Sequence, residues 1–124
     1  ASGSFSHSDK PTESGRIQKV KQYVIDHYSE NLKLSDLAEL VGMSPVSFSR
    51  FFHQRTGRTL SEYIVDIRLG FAARMLVDSA KNISEICYAC GFNNLSNFNR
   101  IFKARRNCTP REFRAMYKKN KVIV

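Results

Sequence analysis

The chain has 124 residues and a mass of 14.2 kDa, the size of one ordinary domain or two very small ones, which excludes a large enzyme core. Hydrophobic residues make up 42% of it, including nine Phe and five Tyr, so it can bury a core and is not of the disordered class. Twenty basic against 11 acidic residues give a formal net charge of +9, which favours a polyanionic partner such as nucleic acid or an anionic membrane surface.

The two ends of the chain carry little pattern. Residues 1–15 are rich in Ser, Gly and polar side chains and are expected to form a flexible tail, either an interdomain linker or residues added for expression. Residues 121–124 are expected to form a short C-terminal tail. No apolar stretch resembles a signal peptide or approaches the roughly 20 residues that span a bilayer. We therefore expect a cytoplasmic protein with no membrane partner.

From residue 16 onward the spacing of apolar residues predicts helices and no strands. Ile17, Val20, Val24 and Tyr28 recur at helical spacing and mark the apolar stripe of a first amphipathic helix. This helix begins a first structured segment, expected over residues 16–58.

A supersecondary unit occurs twice, beginning at Leu34 and again at Ile83. The two copies align with an offset of 49 up to Gly42 and Gly91, and with an offset of 50 beyond them. Each copy predicts a short helix that ends at the glycine, a turn of three to four residues, and a second helix. This is helix-turn-helix geometry, found twice.

Polar residues suited to capping predict where the helices of both copies begin and end. In the first copy the expected caps are Ser35, Ser44 with Pro45 after it, Gly57, and the capping box Thr59 to Glu62. In the second copy they are Ser84, Asn93 or Asn94, Asn107, and the capping box Thr109 to Glu112.

A longer helix is expected between the copies, over residues 59–79. Its residues Ile64, Ile67, Phe71 and Met75 keep helical spacing, and Gly70 within it suggests close packing against another helix. A second structured segment is expected over residues 80–120. The predicted fold class is all-α, with seven helices forming two helix-turn-helix subdomains joined by a linker helix.

The second helix of each copy separates apolar from polar side chains. At about 100° per residue, one face of each helix is apolar and is predicted to be buried. These apolar residues are Phe48, Phe51 and Phe52 in the first copy, and Phe98, Ile101 and Phe102 in the second. The outward or flanking residues are Val46, Ser49, Arg50, His53 and Gln54, and Ser96, Asn97, Asn99, Arg100 and Lys103. Arg can bond a guanine edge in a major groove, and Asn or Gln an adenine edge, so two such faces on a basic chain favour DNA recognition over a merely solvated surface.

Positive charge concentrates near the C-terminus. Residues 99–121 contain nine basic residues and Glu112 as their single acidic residue, which is a net +8 of the total +9. Such a cluster can neutralise several phosphates, and binding would then weaken steeply with salt.

At these residues the sequence resembles the DNA-binding domain of AraC/XylS-type transcription regulators. The matching stretches are LSDLAELVGMSPVSFSRFFHQRTGRTLSEYI, RLGFAARMLVDS and ISEICYACGFNNLSNFNRIFKARRNCTPREFR, within a resemblance that covers about residues 16–119. The resemblance implies transcription regulation, as an activator, by two recognition helices that enter adjacent major grooves of one asymmetric DNA site.

The resemblance also implies roles for the outward-facing residues. The positions that would lie against bases are Val46, Ser49, Arg50, Ser96, Asn97, Asn99 and Arg100. The positions that would lie toward phosphates are His53, Gln54, Lys103, Arg105, Arg106 and Arg111. Val46 offers only apolar contact and Ser49 is short, so the first copy is expected to make fewer direct hydrogen bonds to bases than the second.

The partners implied by the resemblance are double-stranded promoter or operator DNA and RNA polymerase. Most members of this family carry a further sensing or dimerisation domain, and an effector would act only through such a domain, which this sequence lacks. The chain is expected to be the C-terminal DNA-binding part of a longer regulator rather than a stand-alone activator.

Two other classes of function were weighed against this one. His7, His27 and His53 have no Cys or carboxylate at a spacing typical of a catalytic site, and no cofactor or metal motif is visible, so no enzyme is predicted. A helical protein-interaction or RNA-binding module is the alternative. RNA recognition usually uses exposed aromatic side chains, whereas the Phe residues here fall on the faces predicted to be buried.

The C-x-x-C spacing of Cys87 and Cys90 suggests a metal or redox site at first sight. In the repeat, however, Cys87 aligns with Ala38 and Cys90 with Val41, both small apolar residues. Only Cys108 remains as a further cysteine, too few for a four-ligand zinc site. The pair is predicted to pack in the core, with a thiol that senses oxidants as the alternative.

Overall fold

The computed structural model describes the backbone of residues 12–123 and the side chains of residues 12–118. Over this range it contains seven α-helices and no β-strand, which confirms the predicted fold class. The helices are α1 (Glu13–Asp26), α2 (Leu34–Leu40), α3 (Pro45–Thr56), α4 (Leu60–Asp78), α5 (Ile83–Ala89), α6 (Leu95–Arg106) and α7 (Pro110–Ile123). None of these helices is long and apolar enough to cross a membrane.

The described helices extend into both predicted tails. Residues 1–11 and 124 lie outside the described residues, but Glu13 to Gly15 already belong to α1. Thr12 caps this helix, and its Oγ1 accepts the N–H of Gly15 at 2.8 Å. At the other end α7 continues to Ile123.

The described helices form two compact units. The first contains α1, α2 and α3 and ends at Leu60, and the second contains the segment Tyr28–Asn31 and the chain from Ser61 onward. In the first unit α2 packs on α3, and in the second α6 packs on both α5 and α7.

The core of the first unit is built from the predicted stripe of α1 and from the apolar sides of α2 and α3. Ile17, Val20 and Val24 are buried, as predicted. Tyr28 lies beyond the end of α1 and belongs to the second unit, where its ring stacks on Phe71 with centroids 4.0 Å apart. The stripe therefore ends with the helix at Asp26.

In the second unit, the apolar residues of α4 that keep helical spacing in the sequence are buried to different degrees. Ile64 is buried, but Ile67, Phe71 and Met75 are only partly so. The α4 residues that fill the core are Leu69, Ala72, Ala73 and Leu76, packed with Ile86, Cys87, Cys90, Phe92, Phe98 and Phe102. Because α4 carries apolar residues on more than one side, periodicity alone does not single out its buried face.

The packing predicted around Gly70 was wrong. Gly70 is exposed, and a Cβ atom added there would find nothing within 4 Å.

The turns of the two helix-turn-helix units share one hydrogen-bonding pattern. After Gly42 and Gly91, both at positive φ, the N–H of Met43 donates to Ala38 O at 3.0 Å and that of Phe92 to Cys87 O at 3.1 Å. These bonds satisfy carbonyls at the end of α2 and α5. Residues 41–44 form the first turn and residues 90–94 the second, so the second is one residue longer than predicted.

The predicted caps of the first helices were wrong. Because α2 and α5 begin at Leu34 and Ile83, Ser35 and Ser84 lie inside the first turn and not at the N-cap. Lys33 takes that position in α2 with no side-chain bond. In α5 it is Asn82, whose Oδ1 accepts the N–H of Glu85 at 2.7 Å while the Glu85 carboxylate accepts the N–H of Asn82 at 2.8 Å.

The predicted ends of the second helices are confirmed. Ser44 caps α3 with Pro45 as its first residue, and Asn94 caps α6. Gly57 and Asn107, which are left-handed at φ 76° and 62°, end these helices.

The capping box before α7 is also confirmed. The Thr109 N–H donates to the Glu112 carboxylate at 2.8 Å, and the Thr109 hydroxyl accepts the Glu112 N–H at 3.1 Å. Hydrogen bonding of the Glu112 carboxylate to the Thr109 backbone, and then to the Thr109 side chain, lowers the pKa of Glu112. The equivalent box from Thr59 to Glu62 stays a prediction.

Candidate nucleic-acid interface

A pair of phenylalanines one helical turn apart determines which side of α3 and of α6 faces the core. Phe48 and Phe52 in α3 are fully buried, with ring centroids 5.9 Å apart, and Phe98 and Phe102 in α6 repeat this arrangement at the same distance. The opposite side of each helix is thereby held outward. Phe51 and Ile101, predicted to be buried, are only partly so, because they lie at the edge of the apolar face and not at its centre.

The outward face of α3 is exposed as predicted. Val46 keeps 71% of its surface, and Ser49, Arg50, His53 and Gln54 are exposed as well. Within the described part of the chain, the guanidinium of Arg50 makes no hydrogen bond or ion pair, so it can bind an external acceptor without breaking an internal contact. Val46, Arg50 and His53 follow one another at i, i+4 and i+7, the spacing of a single helical face.

This face of α3 contains an open hollow of about 560 Å³, which is mostly apolar. Its lining includes Leu34, Pro45, Val46, Ser49, Arg50 and His53. The apolar members lie toward the start of the helix, and Arg50 and His53 lie one and two turns further on.

The outward face of α6 repeats the same spacing with more polar residues. Ser96, Asn97, Arg100 and Lys103 are exposed, whereas Asn99 is only partly exposed. The Arg100 guanidinium donates to the side-chain oxygen of Asn97, one turn earlier on the helix. This contact holds two hydrogen-bonding groups together at the surface of α6.

The residues predicted to lie toward phosphates have different surroundings. Lys103, Arg105, Arg106 and Arg111 are all exposed. Arg105 forms an ion pair with Asp66 of α4, and the Arg106 guanidinium lies 6.0 Å from the ring centre of Phe113. Their contact with phosphate stays a prediction, as does the contact of the base-facing residues with bases.

Two arginines of the second unit donate hydrogen bonds to backbone carbonyls of the same unit. Arg114 of α7 donates to the carbonyls of Leu76 and Ser79 at the end of α4, at 2.9 and 3.2 Å. Arg68 of α4 donates to the carbonyls of Tyr28 and Glu30, at 2.7 and 2.8 Å. Arg114 therefore belongs to the positive C-terminal cluster by sequence but serves as a structural donor.

A polar cleft of about 600 Å³ beside α6 was not predicted from the sequence. Its lining includes Arg68, Tyr88, Asn93 and Asn97, and Tyr88 is 54% exposed. The repeat carried a signal for this exposure, because Tyr88 aligns with Glu39, a charged residue that is also exposed. Tyrosine and asparagine are among the side chains that bond phosphate and sugar in DNA complexes.

The cysteine pair packs in the core, as predicted. Cys87 and Cys90 have no exposed surface, and the Cys90 sulfur lies 3.8 Å from that of Met75. Burial raises the pKa of the Cys87 thiol, and burial together with Cys87 raises the pKa of Cys90 to about 11. A raised pKa suppresses the reactive thiolate, which disfavours oxidant sensing by this pair. No group of three or more metal-binding side chains occurs among the residues described.

Comparison with known proteins gives a consistent result. A family described as "Helix-turn-helix domain" matches residues 37–116. An uncharacterized HTH-type transcriptional regulator of Bacillus subtilis, YobQ, is 36% identical over 92 residues, which are 74% of this chain and 38% of that protein. The chain spans no more than 60% of the length of the next curated relatives.

Solved structures share the same fold. A transcriptional regulator from Chromobacterium violaceum, described as having an AraC-type DNA-binding domain, has a TM-score of 0.79 at 31% identity over 84% of this chain and 93% of that one. The DNA-binding domain of AdpA, a global transcriptional factor solved in complex with a target DNA, also has a TM-score of 0.79, at 25% identity over 85% and 95% of the two chains.

Proposed function

The chain belongs to the AraC/XylS-type family of helix-turn-helix DNA-binding domains, and from this premise we propose that it binds specific double-stranded DNA to regulate transcription. α3 and α6 enter adjacent major grooves of one asymmetric site. The chain acts as part of a longer regulator, an activator that contacts RNA polymerase and receives its signal through another domain.

The repeated outward face is the observation that carries this proposal. Val46, Arg50 and His53 in α3 correspond to Ser96, Arg100 and Lys103 in α6, each opposite a buried phenylalanine pair. A second helix of a helix-turn-helix unit presents its outward side chains to base edges in the major groove. Because this face occurs twice, it supports base recognition by both α3 and α6 rather than by one helix.

The charge of the interface supports DNA as the ligand. Arginine recognises guanine through two parallel hydrogen bonds, and Arg50 and Arg100 occupy the same place on the two helices. Lys103 of α6 and Arg111 of α7 are exposed and add positive charge for phosphate contacts. RNA binding has less support, because the four central phenylalanines of α3 and α6 are buried and cannot stack on bases.

Selection of bound duplexes from a random pool tests this proposal. We expect one asymmetric consensus, and each of Arg50→Ala and Arg100→Ala to weaken its binding by about 1–3 kcal/mol while relaxing base preference at one separate position. Arg55→Ala is the matched control, because Arg55 lies on α3 but forms an ion pair with Glu13 away from the proposed face. It should leave the base preferences unchanged.

The result also distinguishes one reading helix from two. If only Arg100→Ala changed the consensus, α6 alone would read bases. If both variants bound and discriminated like the parent, the assigned faces would be wrong.

A further inference from the structure

We infer that α3 reads the 5-methyl group of a thymine, and that Val46 is the residue that contacts it. This inference rests on the proposed function and specifies what the first recognition helix selects.

The position of Val46 favours contact with a base edge. It is the second residue of α3, directly after Pro45, and keeps 71% of its surface. The N-terminal residues of a recognition helix are those that reach base edges in helix-turn-helix complexes. Val46 can form no hydrogen bond through its side chain, so its contact there must be apolar.

The surroundings of Val46 form a site of the right chemistry for a methyl group. Leu34, itself 37% exposed, and Pro45 line the same hollow and extend its apolar surface. Thymine is the base that presents a methyl group in the major groove, and apolar side chains pack against it.

The internal repeat shows that α6 differs at the matching place. Val46 corresponds to Ser96 and Ser49 to Asn99, so α6 has a hydroxyl and an amide where α3 has a branched apolar side chain and a short hydroxyl. The two helices otherwise share Arg at the same position, Arg50 and Arg100. α3 therefore offers one charged side chain, Arg50, and one apolar side chain, Val46, for contact with bases.

The exposed side chain of Val46 has little structural role within the described fold. Val46 is β-branched, which disfavours the helix relative to alanine, and with most of its surface exposed it contributes little to the core. Single exposed apolar residues are common, but this one continues into a hollow that also faces Arg50 and His53. The positive charge of Arg50 suits the DNA that would bring a thymine methyl to this place.

The spacing on α3 also predicts the neighbouring base. Val46 and Arg50 are four residues apart, about 6 Å along the helix axis. This distance corresponds to roughly two base-pair steps of about 3.4 Å each. We expect the thymine read by Val46 to lie within about two base pairs of a guanine read by Arg50.

Replacement of single thymines by deoxyuridine in the selected duplex tests this inference, because it removes the methyl group and leaves the hydrogen-bonding edges unchanged. At one thymine of the half-site read by α3, the parent protein should bind about fourfold more weakly, the equivalent of about 0.8 kcal/mol for one buried methyl. Val46→Ala should show little or no penalty at that same thymine. A cytosine placed there should regain affinity when it is replaced by 5-methylcytosine.

Ser96→Ala is the matched control, since it changes the corresponding residue of α6. It should keep the full deoxyuridine penalty at the thymine assigned to Val46, even if its overall affinity changes. Val46→Ala should not lower the parent's unfolding midpoint, because the side chain is exposed.

Two outcomes would overturn the inference, in different ways. If the consensus binds tightly but no thymine shows a methyl effect that depends on Val46, the hollow has another occupant, such as a partner protein, and the proposed function stands. If no duplex is selected at all, the proposed function fails and this inference fails with it.

Discussion

The Cys90 thiol has no exposed surface and its pKa is raised to about 11, chiefly by burial and then by the neighbouring Cys87. The ordinary pKa of a cysteine is near 9. Between these values the unfolded chain loses its thiol proton while the folded chain keeps it. The stability that this difference contributes is complete below about pH 9 and is lost as the pH rises to about 11.

Cys90→Val tests this residue, because Val41 occupies the matching position of the first unit. At pH 8 we expect a change in unfolding free energy of less than about 1.5 kcal/mol, as for other volume-conserving core substitutions. From pH 8 to pH 11 the parent should lose more stability than the variant, measured by urea denaturation. Tyr63, whose pKa burial also raises, titrates in both proteins and cancels in the difference. The pKa of Tyr28 is raised by burial and then by Cys90, so the substitution removes part of that increase and adds to the expected difference. A constant difference across this range would contradict the burial of the Cys90 thiol.

At the scale of the helices, the sequence predicted best where polar and apolar residues separate sharply. The faces of α3 and α6 could be predicted because phenylalanines at i and i+4 mark one side and leave the other to polar residues. The buried side of α4 could not be predicted, because Ile67 and Leu69 are both apolar and only tertiary packing determines which of them is buried. The ion pair of Arg105 with Asp66 joins residues 39 positions apart, which no local spacing indicates.

The exact starts of α2 and α5 could not be predicted from the sequence either. Ser35 is a good capping residue by type, but α2 begins one residue before it, at Leu34. Asn82 and Ser84 both suit the start of α5, and the structure takes Asn82, because it forms a reciprocal capping box with Glu85. Where two residues of suitable type lie near the start of a helix, the one that also forms the reciprocal hydrogen bond of a capping box becomes the N-cap.

Two glycines of the second unit should respond oppositely to alanine. Gly70 is exposed within α4 and a Cβ there meets nothing, so Gly70→Ala should stabilise the protein by about 0.5–1 kcal/mol through the better helix propensity of alanine. Gly91 has φ +96°, and a Cβ there would lie 2.9 Å from Arg68 Nε and 3.0 Å from Tyr28 O. Gly91→Ala should destabilise it by at least about 1–2 kcal/mol.

Thermal and urea denaturation of the two variants would measure this contrast. Destabilisation by Gly70→Ala would mean that this position of α4 is packed after all. A neutral Gly91→Ala would mean that the second turn adopts a different backbone from the one described.

In the molecule as a whole, not every basic residue is available at the surface for contact with phosphate. Residues 99–121 carry nine of the 20 basic residues. Arg114 is used internally, by α4 carbonyls, and Arg105 is paired with Asp66. Lys103 and Arg111 are exposed, and the side chain of neither makes a hydrogen bond or ion pair within the described part of the chain. The number of phosphates neutralised should therefore be smaller than the charge count implies.

Salt titration of DNA binding separates these two kinds of basic residue. Removal of one side chain that neutralises a phosphate should reduce the slope of log K against log salt by about 0.9. Lys103→Ala should show this reduction and leave the unfolding free energy nearly unchanged, because the side chain is exposed. Arg114→Ala should keep the slope but lower the unfolding free energy by roughly 1–3 kcal/mol, because two carbonyls at the end of α4 would then have no charged donor. If Arg114→Ala instead reduced the slope with no decrease in stability, its guanidinium would bind phosphate in the complex, and α7 would belong to the DNA interface rather than to its support.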